Sequence, residues 1–421
     1  MISDKSFKKP GFLKVLDCES DFLRYSTAMN NRRRWIVPWK NSLTKPEIYH
    51  CHSRIVGRAF LMEADEREHF RMLMRKCEKF TGCRVLSYCL MSNHFHLLLE
   101  VVPMREGGIS DQELFARLGV FYNEVQVAEI AKEMEDAAAV RTRGEYELPP
   151  VDYDGVGLTT AEKLVIAQQQ AAARVEEIRS RFTRRMHDLS WFMKALLERF
   201  TKWFNRMHSR SGTLWEDRFK SVIVESGVAA RTVAAYIDLN PVRAGIVGDP
   251  ADYRWSSYGE AVGGGAKRNG KKAGEGLVRA YFCDQGVGFK AEKWQEVSRL
   301  YRRLMGLALG KKPGAAESQR SAKKNGQCHT PHSTKNTAEM LESDNNETVL
   351  KDLGIAKMLR CRVRYFTDGA VIGSKAFVNE VFVSTRERFG AKRKDGARLM
   401  RGSGSAAKGI LWSARDLQLR I

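Results

Sequence analysis

The chain has 421 residues, 43% of them hydrophobic, so it can bury the cores of two or three domains. Lysine and arginine number 71 against 50 acidic residues, and the formal charge of +21 makes nucleic acid the first candidate partner. No segment approaches the roughly 18 apolar residues of a spanning helix, and neither end carries a lipidation motif, which argues against a membrane partner.

The first residues and the cysteines indicate the cellular compartment. Met1–Lys5 runs into charged residues without the apolar region of a secretory signal, so we expect a cytoplasmic protein. The eight cysteines show no CxxC spacing, so neither a zinc ribbon nor a thioredoxin-type redox motif is predicted. We expect reduced thiols.

Residues 1–45 are predicted to form a basic N-terminal arm. Arg32, Arg33 and Arg34 stand directly before Trp35, and Trp39 follows. Cations beside aromatic rings suit contact with phosphates and stacking on bases. A solvated arm without a ligand is the alternative.

A strand, a helix and a hairpin follow the arm. The pattern predicts a strand from Ile48, a helix over Glu63–Phe80, and two strands over Arg84–Ser92 and His94–Val102. This order is typical of an α+β sandwich.

The stretch from about 104 to 186 is rich in Ala, Glu and Gln and predicts a helical insertion. Thr159 and Glu162 form a capping box that opens a helix running to about Arg181. The next predicted helix, Leu189–Met207, is amphipathic, and we assign its aromatic side chains to the core rather than to a base-stacking platform.

The second half of the chain predicts a strand over Thr213–Val224 and a helix over Ala229–Asn240 that Pro241 interrupts. Residues 263–309 are predicted to be a helical and loop extension, and residues 310–347 a flexible basic linker.

Residues 348–421 are predicted to be a small α+β C-terminal extension, whose function the sequence does not reveal. Arg362–Thr367 and Ala370–Gly373 flank Asp368-Gly369, a pair that predicts a type I′ hairpin. Ser374 is expected to cap a helix that runs through Arg388.

Two histidine pairs are candidate metal ligands. His94 and His96 lie two residues apart on a predicted strand, so both imidazoles point to one face and Phe95 to the other. His50 and His52 have the same spacing on the first strand, so spacing alone does not choose between the pairs. Two histidines on one face make half a metal site, and an incidental arrangement is the alternative.

Tyr236 and Asn240 are four residues apart on a predicted helix, so one face presents a phenol and an amide together. The alternative for Tyr236 is a core aromatic residue on an amphipathic helix.

Four blocks of sequence resemble, in order, the signature blocks of the IS200-like transposase family in its REP-associated tyrosine transposase branch: Met91–Leu98, Gly212–Ser221, Tyr236–Gly245 and Tyr253–Tyr258. The resemblance covers residues 46–262 apart from the insertion at about 104–186. It implies an HUH endonuclease fold, which is a ferredoxin-like antiparallel sheet with helices on one face.

The resemblance also implies roles for single residues. His94 and His96 become the metal ligands, Tyr236 the nucleophile and Asn240 a third ligand, whereas His50 and His52 take no ligand role. Pro241 disfavours the α conformation at Asn240, which weakens the assignment of Asn240.

The chemistry implied by the resemblance is cleavage and transfer of single-stranded or hairpin DNA through a 5′-phosphotyrosine intermediate. Mg²⁺ or Mn²⁺ is the expected metal, because a hard divalent ion offsets the charge that develops on a phosphoryl group. REP-associated relatives tend to act as monomers, which favours a monomer here.

Contacts with DNA phosphates are predicted for Arg218, Lys220 and Arg243, while Trp215 is assigned to the core rather than to stacking. Three other functions stay open: a DNA-binding descendant without activity, a hydrolase in which the histidines activate water, and an RNA-binding protein.

Overall fold

The computed structural model describes residues 34–40, 42–139, 159–263, 269–282, 291–310, 354–356, 358–360, 364–400 and 410–415. The strands are β1 (Glu47–Arg54), β2 (Arg84–Leu90), β3 (His94–Val101), β4 (Lys220–Val224), β5 (Gly369–Gly373), β6 (Arg398–Leu399) and β7 (Trp412–Arg415). The helices before β4 are α1 (Ala64–Thr81), α2 (Asp111–Leu118), α3 (Glu124–Ala138), α4 (Thr160–Thr183) and α5 (Leu189–Met207). Those after β4 are α6 (Val228–Asp238), α7 (Asn240–Arg243), α8 (Ser257–Gly263), α9 (Asn269–Phe282), α10 (Ala291–Ala308), α11 (Arg364–Asp368) and α12 (Lys375–Ser384). No helix among the described residues has the length and apolar character to cross a membrane.

The strands form one sheet in the order β2-β3-β1-β4-β5-β7-β6, which confirms an α+β class. The pairs are antiparallel except β4 with β5, which run parallel. The strands within residues 46–262, β1 to β4, pair antiparallel throughout, as expected, and the parallel pair joins β4 to β5 of the C-terminal extension. A parallel pair needs a long crossover, and the chain between Val224 and Gly369 supplies one.

Helices cover both faces of the sheet, whereas the resemblance implied one. Tyr49 and Cys51 of β1 point to the face that carries α1 and α5, and Ile48 points to the face that carries α6, α9 and α10. Phe95 packs, as predicted, in the α1 layer, where its ring centroid lies 5.0 Å from that of Phe70. The strand alternation thus separates an aromatic core from the face that bears the histidines.

The insertion forms helices α2, α3 and α4, as the composition predicts. The predicted capping box is present, because Thr159 Oγ1 accepts from the Glu162 amide and the Glu162 carboxylate accepts from the Thr159 amide. Leu114, Met134 and Phe182 pack together in a small core of these helices.

The predicted strand over Thr213–Val224 is shorter in the structure, since β4 covers Lys220–Val224. Trp215 is buried in the core, as assigned, and its Nε1 donates to Thr201 Oγ1. The following helix divides near Pro241: α6 ends at Asp238, and Asn240 opens α7 in spite of the proline that follows it. A proline in the first turn is tolerated because its missing N–H has no helical partner there.

The predicted hairpin around Asp368-Gly369 is wrong. Arg364–Asp368 is helical, and β5 pairs with β4 and β7 instead of folding back locally. Ala370, Val371 and Ile372 are fully buried in this position, and that burial outweighs the local turn preference. The predicted cap at Ser374 is confirmed, with Ser374 Oγ accepting from the Phe377 amide, and the helix ends at Ser384 before a 3-10 turn at Arg386–Arg388. Residues 311–347 of the predicted linker lie outside the described residues.

Candidate functional site

The register of β1 and β3 places four histidines on one face of the sheet. His52 lies directly opposite His96, and Arg54 opposite His94, while His50 is two residues before His52 on the same face. The His96 ring lies at the centre, with ring centroids 5.2 Å from His50, 5.6 Å from His52 and 5.1 Å from His94. The two pairs that look like rivals in the sequence form one cluster.

A chain of hydrogen bonds fixes the tautomer of His96. The carbonyl of Phe366 can only accept, so His50 Nδ1, 2.7 Å away, carries a proton and donates. In a neutral imidazole His50 Nε2 then accepts, and it lies 3.0 Å from His96 Nδ1. His96 therefore holds its proton on Nδ1 and leaves a lone pair on Nε2.

His94 reaches the same tautomer through a different partner. Its Nδ1 lies 2.6 Å from Asn93 Oδ1, and the Asn93 amide nitrogen donates to the Arg58 carbonyl, which orients the amide oxygen toward His94. His94 thus donates through Nδ1 and keeps the Nε2 lone pair. A metal-binding histidine needs this pattern, with one nitrogen held by a partner and the other free to coordinate.

Burial keeps the cluster neutral. It lowers the pKa of His50 to about 3 and those of His52 and His94 to about 4, and it lowers the pKa of His96 well below its usual value. Charges on Arg54 and neighbouring imidazoles act in the same direction on His94 and His96. Neutral imidazoles at pH 7 are the form that binds metal.

The donor set suits an open metal site better than a closed one. Among the described residues, no group of three or more His, Cys, Asp or Glu side chains is arranged to hold a metal ion. The tautomers of His94 and His96 leave two Nε2 atoms that could coordinate a metal ion, and Mg²⁺ and Mn²⁺ would take their other ligands from amide, water or substrate oxygens.

Tyr236 lies over this cluster from α6. Its ring centroid is 5.8 Å from that of His50 and 5.7 Å from that of His96, both edge-on, and Phe366 stacks on it at 4.6 Å. Tyr236 is 4% exposed, and burial raises its pKa to about 12, against an opposing effect of the Arg243 guanidinium. The phenol is protonated at neutral pH.

Asp238 anchors the helix that carries Tyr236, a role the sequence did not suggest. Its buried carboxylate accepts from the Tyr258 amide at 3.0 Å and from the Tyr301 hydroxyl at 2.8 Å. Burial raises its pKa to about 7. These bonds hold the end of α6 against α8 and α10.

Asn240 and Arg243 both contact the backbone of Tyr236. The Asn240 amide nitrogen donates to the carbonyls of Tyr236 and Ile237 at 3.1 Å, so its described contacts are with α6 rather than with the histidines. Arg243 donates to the Tyr236 carbonyl at 3.3 Å and to the Leu359 carbonyl. Its guanidinium is thus engaged by the protein itself.

Other predicted phosphate-binding residues border the cluster. Lys220 lies opposite His52 in the sheet, and its side chain is exposed. The side chain of Arg218, two residues before Lys220, is also exposed. Arg54, which the sequence did not single out, is exposed opposite His94. Arg32 and Arg33 lie outside the described residues, and Arg34 is the first residue that the structure describes, so a role for the arm stays a prediction.

Two other tyrosines of the matched blocks have structural partners. The Tyr253 hydroxyl donates to the Leu90 carbonyl at 2.6 Å, and the Tyr258 hydroxyl accepts from Arg302 Nε at 2.9 Å. Both side chains are buried, and burial raises the pKa of Tyr253 to about 12.

The C-terminal extension completes the site. Phe366 stacks on Tyr236 and binds His50 through its carbonyl, while the Thr367 carbonyl lies 3.1 Å from His52 Nε2. No local pattern predicts these contacts, because the two histidines lie more than 300 residues from their carbonyl partners.

Comparisons with known proteins give one structural likeness. No protein-family model matches the chain, and no curated protein sequence matches it. A solved structure of a REP-associated tyrosine transposase bound to a REP hairpin is similar over 56% of this chain and 86% of that chain, with 10% sequence identity and a TM-score of 0.27. A TM-score this low does not establish a common fold.

Proposed function

We propose that the protein is a metal-dependent endonuclease and strand transferase that cuts single-stranded or hairpin DNA with Tyr236 as its nucleophile. The observation that carries this proposal is the edge-on packing of Tyr236 against His96, whose Nε2 lone pair is left free by the bond to His50. If a metal ion on His94 and His96 held a phosphodiester, the Tyr236 phenol would lie next to that phosphodiester.

The metal would be Mg²⁺ or Mn²⁺, bound through the Nε2 atoms of His94 and His96. When bound, it would polarise a phosphoryl oxygen and favour the phenolate of Tyr236. Asn240 is a candidate for a further oxygen ligand, since its amide nitrogen is already committed to α6.

Tyr236 would attack the phosphorus atom in line with the leaving 3′ oxygen. The bond from Tyr236 Oη to phosphorus forms, the bond from phosphorus to the 3′ oxygen breaks, and the phenolic proton passes to solvent while the leaving oxygen takes up a proton. The products are a 5′-phosphotyrosine and a free 3′ hydroxyl, and attack by a 3′ hydroxyl restores a phosphodiester without an external energy source.

The chain's own residues prepare Tyr236 for this step. Phe366 and the imidazoles fix the plane of its ring, Asn240 and Arg243 hold its backbone, and Asp238 anchors its helix. We expect the exposed side chains of Lys220, Arg54 and Arg218 to bind phosphates near the cleaved bond.

A DNA-binding protein without activity is the second candidate. The observation in its favour is the burial of Tyr236, which raises the pKa of the nucleophile to about 12 and opposes its ionisation. A protein of this kind would keep the basic residues around the cluster and form no covalent product.

The test is a covalent adduct on a denaturing gel, with hairpin DNA from the flanks of the chain's own gene and Mn²⁺ or Mg²⁺. Wild type should form an adduct that Tyr236→Phe and His94→Ala abolish, while Tyr253→Phe, a buried tyrosine bound to Leu90, should retain it. Binding without an adduct would favour the second candidate. Cleavage by Tyr236→Phe would indicate a metal site that activates water.

A further inference from the structure

A basic groove of about 480 Å³ lies between α1, α5 and the turn after α2. The helices α1 and α5 pack on the sheet face opposite to the histidines, so the groove is separate from the candidate site. Its lining includes Lys76 on α1 and Arg199, Lys202 and Arg206 on α5.

These four cations have no acidic partner within the part of the chain that the structure describes. Three of the four acidic residues of α1 have partners outside the groove: Glu66 binds His208, Glu68 binds Arg71, and Glu78 binds Arg75. Four like charges around one groove repel each other, and an anionic ligand would relieve that repulsion.

The groove also presents aromatic surface. Trp203 is half-buried and stacks on His69 with ring centroids 3.8 Å apart and planes inclined by 9°. The Arg199 guanidinium lies 4.0 Å from the centre of the Phe121 ring. A flat ring beside cations without acidic partners is the pattern that binds single strands, with bases on the ring and phosphates on the cations.

We propose that this groove binds single-stranded DNA at nucleotides away from the cleaved phosphodiester. The choice of DNA rests on the proposed function. Because the sheet separates the groove from Tyr236, one strand would reach both surfaces only by passing around the protein, so the groove would hold nucleotides that flank the cleaved bond.

The test compares two double variants that remove the same charge. Lys202→Ala with Arg206→Ala removes two cations of the groove, and Lys132→Ala with Lys163→Ala removes two exposed cations of the insertion. The probe is a fluorescein-labelled oligothymidylate of about 16 nucleotides, and anisotropy is measured across a range of salt concentrations.

The groove variant should bind about tenfold more weakly, and the slope of log K against log salt should shrink by about 1.4, the value for two lost contacts to a single strand. Trp203→Ala should also weaken binding, and Trp203→Phe should restore most of it because a ring remains for stacking. Equal losses in the two double variants, or a preference for duplex DNA, would overturn the proposal.

The same variants separate this inference from the proposed function. If the groove variant forms the adduct and binds oligothymidylate as well as wild type does, DNA binding in the groove is refuted and the proposed endonuclease activity stands. If wild type forms no adduct but the groove variant binds oligothymidylate more weakly than wild type, the endonuclease activity is refuted and DNA binding in the groove stands.

Discussion

His50 Nε2 lies 3.0 Å from Nδ1 of His96, and through this bond a carbonyl of the C-terminal extension determines which nitrogen of His96 is free. The bond is possible because His52 and His96 pair directly in the sheet, which brings the neighbouring His50 within reach. In proteins, partners of this kind hold metal-binding histidines in one tautomer and orientation.

Replacing His50 should therefore weaken metal binding without removing a ligand. His50→Ala leaves His96 Nδ1 without its acceptor, so the ring can rotate or change tautomer. We expect Mn²⁺ affinity to fall by about 10- to 100-fold, the range found when such a partner is lost. Isothermal titration with Mn²⁺ measures this, and nitrogen-15 NMR of the imidazoles reports the tautomer directly.

His52→Ala is the matched control for that experiment. It removes the same ring from the same face of β1, but His52 binds the Thr367 carbonyl and makes no bond to His96. Its Mn²⁺ affinity should stay close to wild type. Equal losses of Mn²⁺ affinity in the two variants would show a general disturbance of the sheet. They would contradict the proposal that His50 fixes the tautomer of His96.

Phe366 controls the environment of Tyr236. Phe366→Leu keeps an apolar side chain and the carbonyl that binds His50 but removes the stacked ring, so water should reach the phenol more easily. Because burial is the main cause of the raised pKa of Tyr236, we expect that pKa to fall from about 12 toward the ordinary value of about 10.

Ultraviolet titration of tyrosinate measures this change, and the same titration in Tyr236→Phe identifies the signal of Tyr236. Unfolding by urea should show a loss of about 1 to 2 kcal/mol for Phe366→Leu. A Tyr236 that titrates as in wild type would mean that Phe366 does not shield it.

The sequence predicts the parts of this molecule that depend on local pattern. Alternation on β3 places His94 and His96 on one face and Phe95 in the opposite core, and the structure agrees. The α5 bounds, the capping box at Thr159 and the cap at Ser374 also follow from short-range patterns.

Contacts between distant segments escape such patterns. The role of His50 depends on the register of β1 with β3 and on the carbonyl of Phe366, and the cover over Tyr236 depends on the pairing of β4 with β5. The Asp368-Gly369 pair predicts a local hairpin that does not form. The burial of β5 between β4 and β7 outweighs the local turn preference.

The buried histidines should make the fold sensitive to acid. Their folded pKa values are depressed below the unfolded value of about 6.5, so their contribution to stability is present above pH 6.5 and is lost as the pH falls toward 4. Each histidine should contribute about 1.4 kcal/mol of lost stability per pH unit in that window.

Urea unfolding at pH 7, 6 and 5, taken as a series of about one pH unit per step, measures this loss. In His50→Gln the dependence of the unfolding free energy on pH should become shallower by about 1.4 kcal/mol per unit. An unchanged dependence would mean that His50 is charged in the folded protein, which contradicts its role as an acceptor from His96.

Asp238 should act in the opposite direction. Burial raises its folded pKa to about 7, above the unfolded value of about 3.9, so the stability it contributes is present below pH 3.9 and is lost as the pH rises through 7. Asp238→Asn keeps an oxygen for the Tyr258 amide and a donor for Tyr301, and it cannot ionise.

We therefore expect Asp238→Asn to unfold at about the wild-type urea concentration at pH 4 and at a higher one at pH 8, because wild type loses the contribution of Asp238 between those two pH values. Asp238→Ala leaves the Tyr258 amide unpaired and should lose about 2 to 3 kcal/mol at pH 4, where wild type keeps the whole contribution of Asp238, and less at pH 8. Adduct formation by these variants then separates stability from positioning: if α6 holds Tyr236 through Asp238, the alanine variant should cleave more slowly than the asparagine variant even at temperatures where both are folded. Equal rates would mean that the histidines and Phe366 position Tyr236 without help from its helix anchor.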